Sequence, residues 1–85
     1  MAYAVELSPA ARRQLSRLDS AMRERILRAL IGLETEQRPP GVKKLKGGGE
    51  LWRIRLGDYR IVYEIREKIA VVLVVRIAHR REAYR

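Results

Sequence analysis

The chain has 85 residues, no cysteine, and 19 lysines and arginines against 10 acidic residues, for a net charge of +9. That length fits one small domain over residues 1–85, with a modest core that buries about 60–65% of the surface its unfolded chain exposes. The lack of cysteine excludes disulfides, thiolate metal sites and a cysteine nucleophile, and a single histidine, His79, leaves no ligand set, so neither metal nor cofactor is expected.

The positive charge is uneven. Residues 1–37 carry six arginines against five acids, a net of +1, whereas residues 38–85 carry 13 basic residues against five acids, a net of +8. A lopsided basic chain points to a polyanionic partner, either nucleic acid or an acidic protein segment. The first residues, MAYAVELSPAARR, lack the basic-then-apolar pattern of a signal peptide. The longest apolar run, residues 69–75, is far short of the roughly 20 residues that span a bilayer. A cytoplasmic protein without a membrane partner is the expectation.

In chain order, Tyr3, Val5 and Leu7 alternate with Ala4 and Glu6, the period of a short strand. Ser8 is a helix N-cap with Pro9 at the first helical position, and Ala11, Leu15 and Leu18 share one face. Asp19 or Ser20 caps a second helix, in which Met22, Ile26, Leu30 and Leu33 recur at helical spacing. The short link between them predicts an antiparallel helical hairpin. Arg38-Pro39-Pro40-Gly41 reads as the end of the second helix, since two prolines cannot continue it.

The segment VKKLKGGGE is then a flexible basic loop, with Lys43, Lys44 and Lys46 available as point charges for phosphates. It lacks the Gly-Lys-Ser/Thr ending of a nucleotide-binding P-loop and precedes a strand rather than a helix. Residues 51–65, LWRIRLGDYRIVYEI, alternate as a hairpin around Gly57-Asp58. Glu67-Lys68 makes the next turn, and residues 69–77 are apolar enough for a central strand covered on both faces, broken by Arg76 near its end. The last residues, HRREAYR, form a half-turn of helix or a tail. The expected fold is α+β, β-α-α-β-β-β, with the helical hairpin on one face of a small, mainly antiparallel four-stranded sheet.

On the hairpin, Arg53, Arg55 and Arg60 alternate away from the apolar side chains, towards the face that the helices leave open. Arg80 and Arg81 follow near the end of the chain. Guanidinium groups on a rigid sheet can clamp a phosphodiester and stabilise charge that develops during phosphoryl transfer. The plainer reading is a solvated basic face that keeps the protein soluble. His79 can serve as a general base near neutral pH, or as an ordinary surface or packing residue. Tyr84 can stack on a base, take part in proton transfer, or simply dock the end of the chain.

The β-α-α-β-β-β order, the Leu45-Lys46-Gly47 segment, the Gly-Asp-Tyr-Arg-Ile-Val-Tyr run of residues 57–63 and the His-Arg-Arg-x-x-Tyr run of residues 79–84 together resemble the RelE/ParE superfamily of type II toxin–antitoxin modules. The resemblance implies one of two activities: RelE-type members cut messenger RNA on the ribosome, and ParE-type members poison DNA gyrase without the RNA-cleaving residues. The RelE-type pattern maps to Arg53 and Arg55 on one strand, Arg60 on the next, and Arg80 with Tyr84 near the end. Where well-known members carry lysines this chain has Arg53 and Arg55, which hold phosphate but cannot lose a proton in water.

The implied mechanism is attack by the RNA's own 2′-hydroxyl on the adjacent phosphorus. Tyr84 is the first candidate for the base and His79 the second. Arg60 and Arg80 stabilise charge at phosphorus; Arg53, Arg55, Lys43, Lys44, Lys46 and Arg81 hold the backbone. The implied partners are the ribosome, messenger RNA and a cognate antitoxin. A gyrase inhibitor of the same fold and a non-catalytic binding module are the alternatives.

Overall fold

A computed structural model describes residues 2–45 and 50–83, so Lys46 and Tyr84 lie outside the described residues. The elements are β1 (Ala4–Leu7), α1 (Pro9–Ser16), α2 (Ser20–Gly32), β2 (Lys43–Lys44), β3 (Leu51–Leu56), β4 (Tyr59–Arg66), a 3₁₀ turn (Glu67–Ile69), β5 (Val71–His79) and α3 (Arg80–Ala83). The sheet runs β1-β5-β4-β3-β2, with β1 parallel to β5 and every other pair antiparallel. The α+β class and the helical hairpin are as expected. Among the described residues the strand count is five rather than four, because Lys43 and Lys44 of the basic loop pair with Arg53 and Trp52.

Local chemistry sets the helices. The Ser8 hydroxyl accepts from the Ala11 N–H at 3.0 Å, Pro9 sits in the first turn, and the Asp19 carboxylate accepts from the Met22 N–H at 2.8 Å. Between the helices, the Arg23 guanidinium donates to the carbonyls of Leu15, Ser16 and Leu18, which satisfies the C-terminal end of α1.

The second helix stops at Gly32, well before the two prolines. Its last carbonyls, of Leu30, Ile31 and Gly32, accept from the backbone N–H groups of Leu33, Glu34, Thr35 and Glu36. Just past the helix, Gln37 Nε2 donates to the Leu33 and Glu34 oxygens, while the Tyr3 N–H donates to the Glu34 oxygen at 2.8 Å. The β3–β4 hairpin closes on Gly57-Asp58, and Gly57 takes φ +60°, the positive φ that a type II′ turn requires at its first position.

The core lies between the hairpin and one sheet face. Ala11, Leu15, Ile26, Leu30 and Leu33 from the helices meet Ile61, Tyr63, Ile65, Val72, Val74 and Ile77 from the sheet, all buried. Burying side chains of this size contributes roughly 1.5–3 kcal/mol each.

The β4–β5 ladder is irregular at one place. Val62 pairs with Arg76 and Tyr63 with Val74, so Val75 is an extra residue on β5. A bulge of this kind reverses which side later residues face. Before it, Val72 and Val74 face the helices; after it, Ile77 does. First-helix side chains satisfy the irregular backbone: Ser8 Oγ donates to the Val75 oxygen at 2.9 Å, and Gln14 Oε1 accepts from the Ile77 N–H at 2.7 Å.

Tyr63 is fully buried and its hydroxyl donates to the Gln37 oxygen at 2.7 Å. Burial pushes its pKa from 10.0 up to about 12, partly opposed by the positive charge of Arg38. The unfolded chain therefore loses this proton first, and the contribution of Tyr63 to stability, complete below pH 10, falls as pH rises towards 12. Tyr63→Phe should cost about 1–3 kcal/mol in urea unfolding at neutral pH, because a part-buried carbonyl loses its donor. The difference between wild type and variant should narrow between pH 10 and 12; an unchanged difference would contradict this account.

Candidate nucleic-acid interface

The strand register builds the site directly. Two neighbouring rows run across the sheet face that points away from the helices. One is Lys43–Arg53–Val62–Arg76 and the other is Arg55–Arg60–Ala78. Residues directly opposite in adjacent strands share a face, with Cβ atoms about 4.5–5.5 Å apart. The structure therefore brings Arg53, Arg55 and Arg60 together and adds Lys43 and Arg76.

Two clefts open on this face and share Arg53 and Arg60. The first, of about 340 Å³, is lined by Pro40, Gly41, Lys43, Arg53, Ile54, Arg55 and Arg60. The second, of about 160 Å³, is lined by Leu45, Arg53, Arg60, Val62, Arg76 and Ala78. Among the described residues neither cleft has an acidic side chain in its lining. Arg60 is only 5% exposed, whereas Lys43, Arg55 and Arg76 are exposed. Farther along the same face the charge changes sign: Glu64 is held by Arg66 in an ion pair, and Glu6 stands on the edge strand.

Other expected residues go elsewhere. Lys44 pairs with Trp52 on the helix side, where its Nζ lies 5.8 Å from the indole ring and 3.8 Å from Glu50 Oε1. The Arg38 guanidinium lies 5.0 Å from the same ring, and its hydrogen bond to Glu67 raises its pKa above the ordinary value. Arg80, Arg81, His79 and Asp58 line a separate depression beside the hairpin turn, and the Arg80 N–H donates to the Asp58 oxygen at 2.6 Å. Arg80 is thus the next position past the Arg60–Ala78 pair.

His79 is apart from Arg53, Arg55 and Arg60. It pairs with Tyr59, with the two rings edge to face at 5.2 Å, and lines a cleft with Gln14, Arg17, Leu18, Tyr59 and Ile77 on the helix side. Its Nδ1 accepts from the Arg81 N–H at 3.3 Å. The expectation that His79 shares a centre with Arg53, Arg55 and Arg60 is corrected by the bulge at Val75, which sends Ile77 and His79 one way and Arg76 and Ala78 the other.

Arg76 is the residue that sequence reading left out. Plain alternation groups it with Val72 and Val74, facing the core; the bulge turns it outward. Its signal in the sequence is the charge that interrupts an apolar run. Chemically, the two clefts offer donors and positive charge to an anion. Arginine is always charged, so apart from the Lys43 amine no side chain of their linings can serve as a base. Among the described residues no three His, Asp or Glu side chains come together as metal ligands.

The fold and this face define a small basic α+β protein with a positively charged sheet surface. Comparison with known proteins gives its family. A sequence model of the ParE toxin of the type II toxin–antitoxin system parDE matches residues 5–84. The RelE–RelB complex of Pyrococcus horikoshii OT3 superposes with a TM-score of 0.83 at 34% identity, over 94% of this chain and 97% of that one. The intact RelBE toxin–antitoxin complex of E. coli superposes with a TM-score of 0.82 at 26% identity, over 92% and 96%. A Methanocaldococcus jannaschii protein named as a toxin, RelE1, is 32% identical over 44 residues, which span 52% of this chain and 49% of that protein. The chain belongs to the RelE/ParE superfamily of type II toxins and lies close to RelE.

The clefts make a measurable electrostatic statement. Each phosphate contact to single-stranded RNA contributes about 0.7 to the slope of log K against log salt. Arg55→Gln should lower that slope for poly(U) by about one contact, while Arg28→Gln, in an exposed helical ion pair with Glu24, should leave it unchanged. Equal slopes in wild type and Arg55→Gln would exclude the sheet face as the phosphate contact.

Proposed function

We propose that this toxin is a ribosome-dependent messenger RNA endoribonuclease, held inactive by a cognate antitoxin. The observation that carries the reading is the grouping of Arg53, Arg55 and Arg60 on the open sheet face. A phosphodiester in the first cleft meets the exposed Arg55 and the nearly buried Arg60 from adjacent strands. Removal of the 2′-hydroxyl proton lets that oxygen bond to phosphorus. The bond from phosphorus to the 5′-oxygen breaks, and this oxygen leaves with a proton. The products are a 2′,3′-cyclic phosphate and a 5′-hydroxyl end.

Charge grows on the phosphorus oxygens as this happens, and fixed guanidinium groups at a poorly hydrated position act most strongly there. Arg60 takes that role, with Arg80 one position beyond it; Arg53, Arg55 and Lys43 hold the backbone. Lys44, turned towards Trp52, contributes nothing in this cleft, and Arg81 serves RNA outside it. The guanidinium groups cannot serve as a base, and proton removal is assigned to Tyr84 or to a group of the ribosome. Positioning by the ribosome is the other large term: holding the message in line can contribute roughly 7–11 kcal/mol. A target on the ribosome would place the protein in the cytoplasm.

An antitoxin partner is supported by the relatives seen with RelB and by a second surface. Edge strand β1 and helix α2 flank an apolar cleft of about 170 Å³, lined by Val5, Leu7, Leu27, Leu30, Ile31 and Glu34. Leu27 and Ile31 stand exposed beside it. Among the described residues β1 pairs only with β5, so its outer edge can accept another strand.

A second reading rests on the ParE description of the matching family; DNA gyrase is the target that the resemblance to ParE-type members implies. Mapping transcript 5′ ends after brief induction separates the two. Cuts inside translated frames, in phase with codons, are expected, and their absence alongside a DNA-damage response would favour gyrase. Arg60→Gln should lower cleavage on translating ribosomes by about 10²–10³-fold, the usual loss when one fixed stabiliser of transition-state charge is removed. Antitoxin binding and the thermal midpoint serve as controls for the fold. Undiminished cleavage by Arg60→Gln would remove the arginine cluster from the chemistry.

A further inference from the structure

The second cleft has a character of its own. Its floor is apolar: Val62 from β4, Ala78 from β5, and Leu45, whose N–H donates to the Leu51 oxygen at 3.0 Å. Its walls are Arg53, Arg60 and Arg76. Arg53 and Arg76 are separated by one strand, with Val62 between them in the same row. A strand spacing of roughly 4.8 Å puts their backbones about 10 Å apart.

A hydrated phosphate gains nothing from an apolar floor. A flat ring buries one face on it and accepts a guanidinium plane on its rim or other face, the way arginine and aromatic groups hold unstacked bases. At about 160 Å³ the cleft is also smaller than the roughly 300–1,000 Å³ of pockets that enclose whole small ligands. Its position is fixed: the bulge turns Arg76 to this face, the Ser8 hydroxyl donates to the Val75 oxygen before it, and the Ile77 N–H after it donates to Gln14 Oε1.

We propose that this cleft is a base-binding subsite. It takes the base of the nucleotide next to the phosphate held by Arg53, Arg55 and Arg60, with Arg76 as the side chain that lies against that base. The proposal rests on the RNA reading above and adds a contact that discriminates bases from bare backbone. Arg76 is a positioning and specificity residue here, so its loss changes how RNA is held and leaves the phosphate contacts in place.

The test compares two probes by fluorescence anisotropy on the purified full chain: a four-residue uridine RNA and the same ribose-phosphate chain without bases. Stacking one base on a protein surface contributes about 1–3 kcal/mol, so the wild type should bind the uridine chain roughly tenfold tighter. Arg76→Ala should bring the ratio near one. Arg76→Lys should keep the salt dependence of the wild type but lose most of the ratio. Ala78→Met, which fills the floor with Arg76 intact, should also lower it. Arg55→Gln should weaken both probes by the same factor, and thermal unfolding checks each variant.

An unchanged ratio in Arg76→Ala, or equal wild-type affinity for the two probes, overturns the proposal. The ratio is read without ribosomes. A wild type that shows the ratio but cuts nothing on ribosomes therefore sinks the ribonuclease reading alone, and one that cuts without showing the ratio sinks the subsite alone.

Discussion

One irregularity in the sheet decides what the rest of the molecule can do. At Val75 the β5 strand carries one residue more than its partner β4, and the Ser8 hydroxyl bonds to the carbonyl at that point. The same hydroxyl caps the first helix by accepting from the Ala11 N–H. One side chain thus ties the start of α1 to the place where the sheet changes phase, and Gln14, one and a half turns along the helix, receives the Ile77 N–H. This portion of β5 extends beyond the end of β1, so its outer backbone groups face the helix and not a neighbouring strand. Buried backbone groups of this kind need partners, and α1 supplies them.

The charge arrangement runs against simple stability. Arg55 and Arg60 lie directly across from one another, and like charges in that relation are destabilising. Arg60 is almost wholly buried besides, and taking a charge out of water carries a further cost. The apolar contacts on the opposite side of the same strands offset this: Ile61 and Tyr63, which flank Arg60 and Val62 in sequence, are fully buried against the helices. At the far end of the face, where Glu64 meets Arg66 and Glu6 stands nearby, charges of opposite sign occur together. The concentration of one sign is therefore confined to one end of the sheet. The exposed pairs elsewhere, Glu24–Arg28 among them, contribute little to stability.

Much of this was legible in the sequence because it depended on local rules. Ser8-Pro9 and Asp19 announce helix starts, Gly57 announces the hairpin, and strict alternation puts Arg53, Arg55 and Arg60 on one side. What escaped depended on distant partners. Lys43 and Lys44 form a strand only because β3 offers them an edge, and a two-residue strand has no periodicity to read. The second helix ends at Gly32, and Gln37 and the Tyr3 backbone take the Leu33 and Glu34 carbonyls just past it, whereas the two prolines suggested a later stop. His79 and Arg76 exchanged faces because an extra residue in a strand of continuous β-branched and aliphatic side chains leaves no mark in the pattern.

That exchange shapes the chemistry more than any single side chain. It takes the imidazole of His79 to the helix side, beside Tyr59, and brings a guanidinium to the open face in its stead. Among the described residues, the clefts are then lined by fixed positive charge and apolar surface. A surface of that composition can bind, orient and stabilise an anion through guanidinium groups, which are always charged. Those guanidinium groups cannot move a proton. In the proposed reaction the pH dependence of cleavage therefore comes from another group, and the arginines should set its magnitude without setting its midpoint.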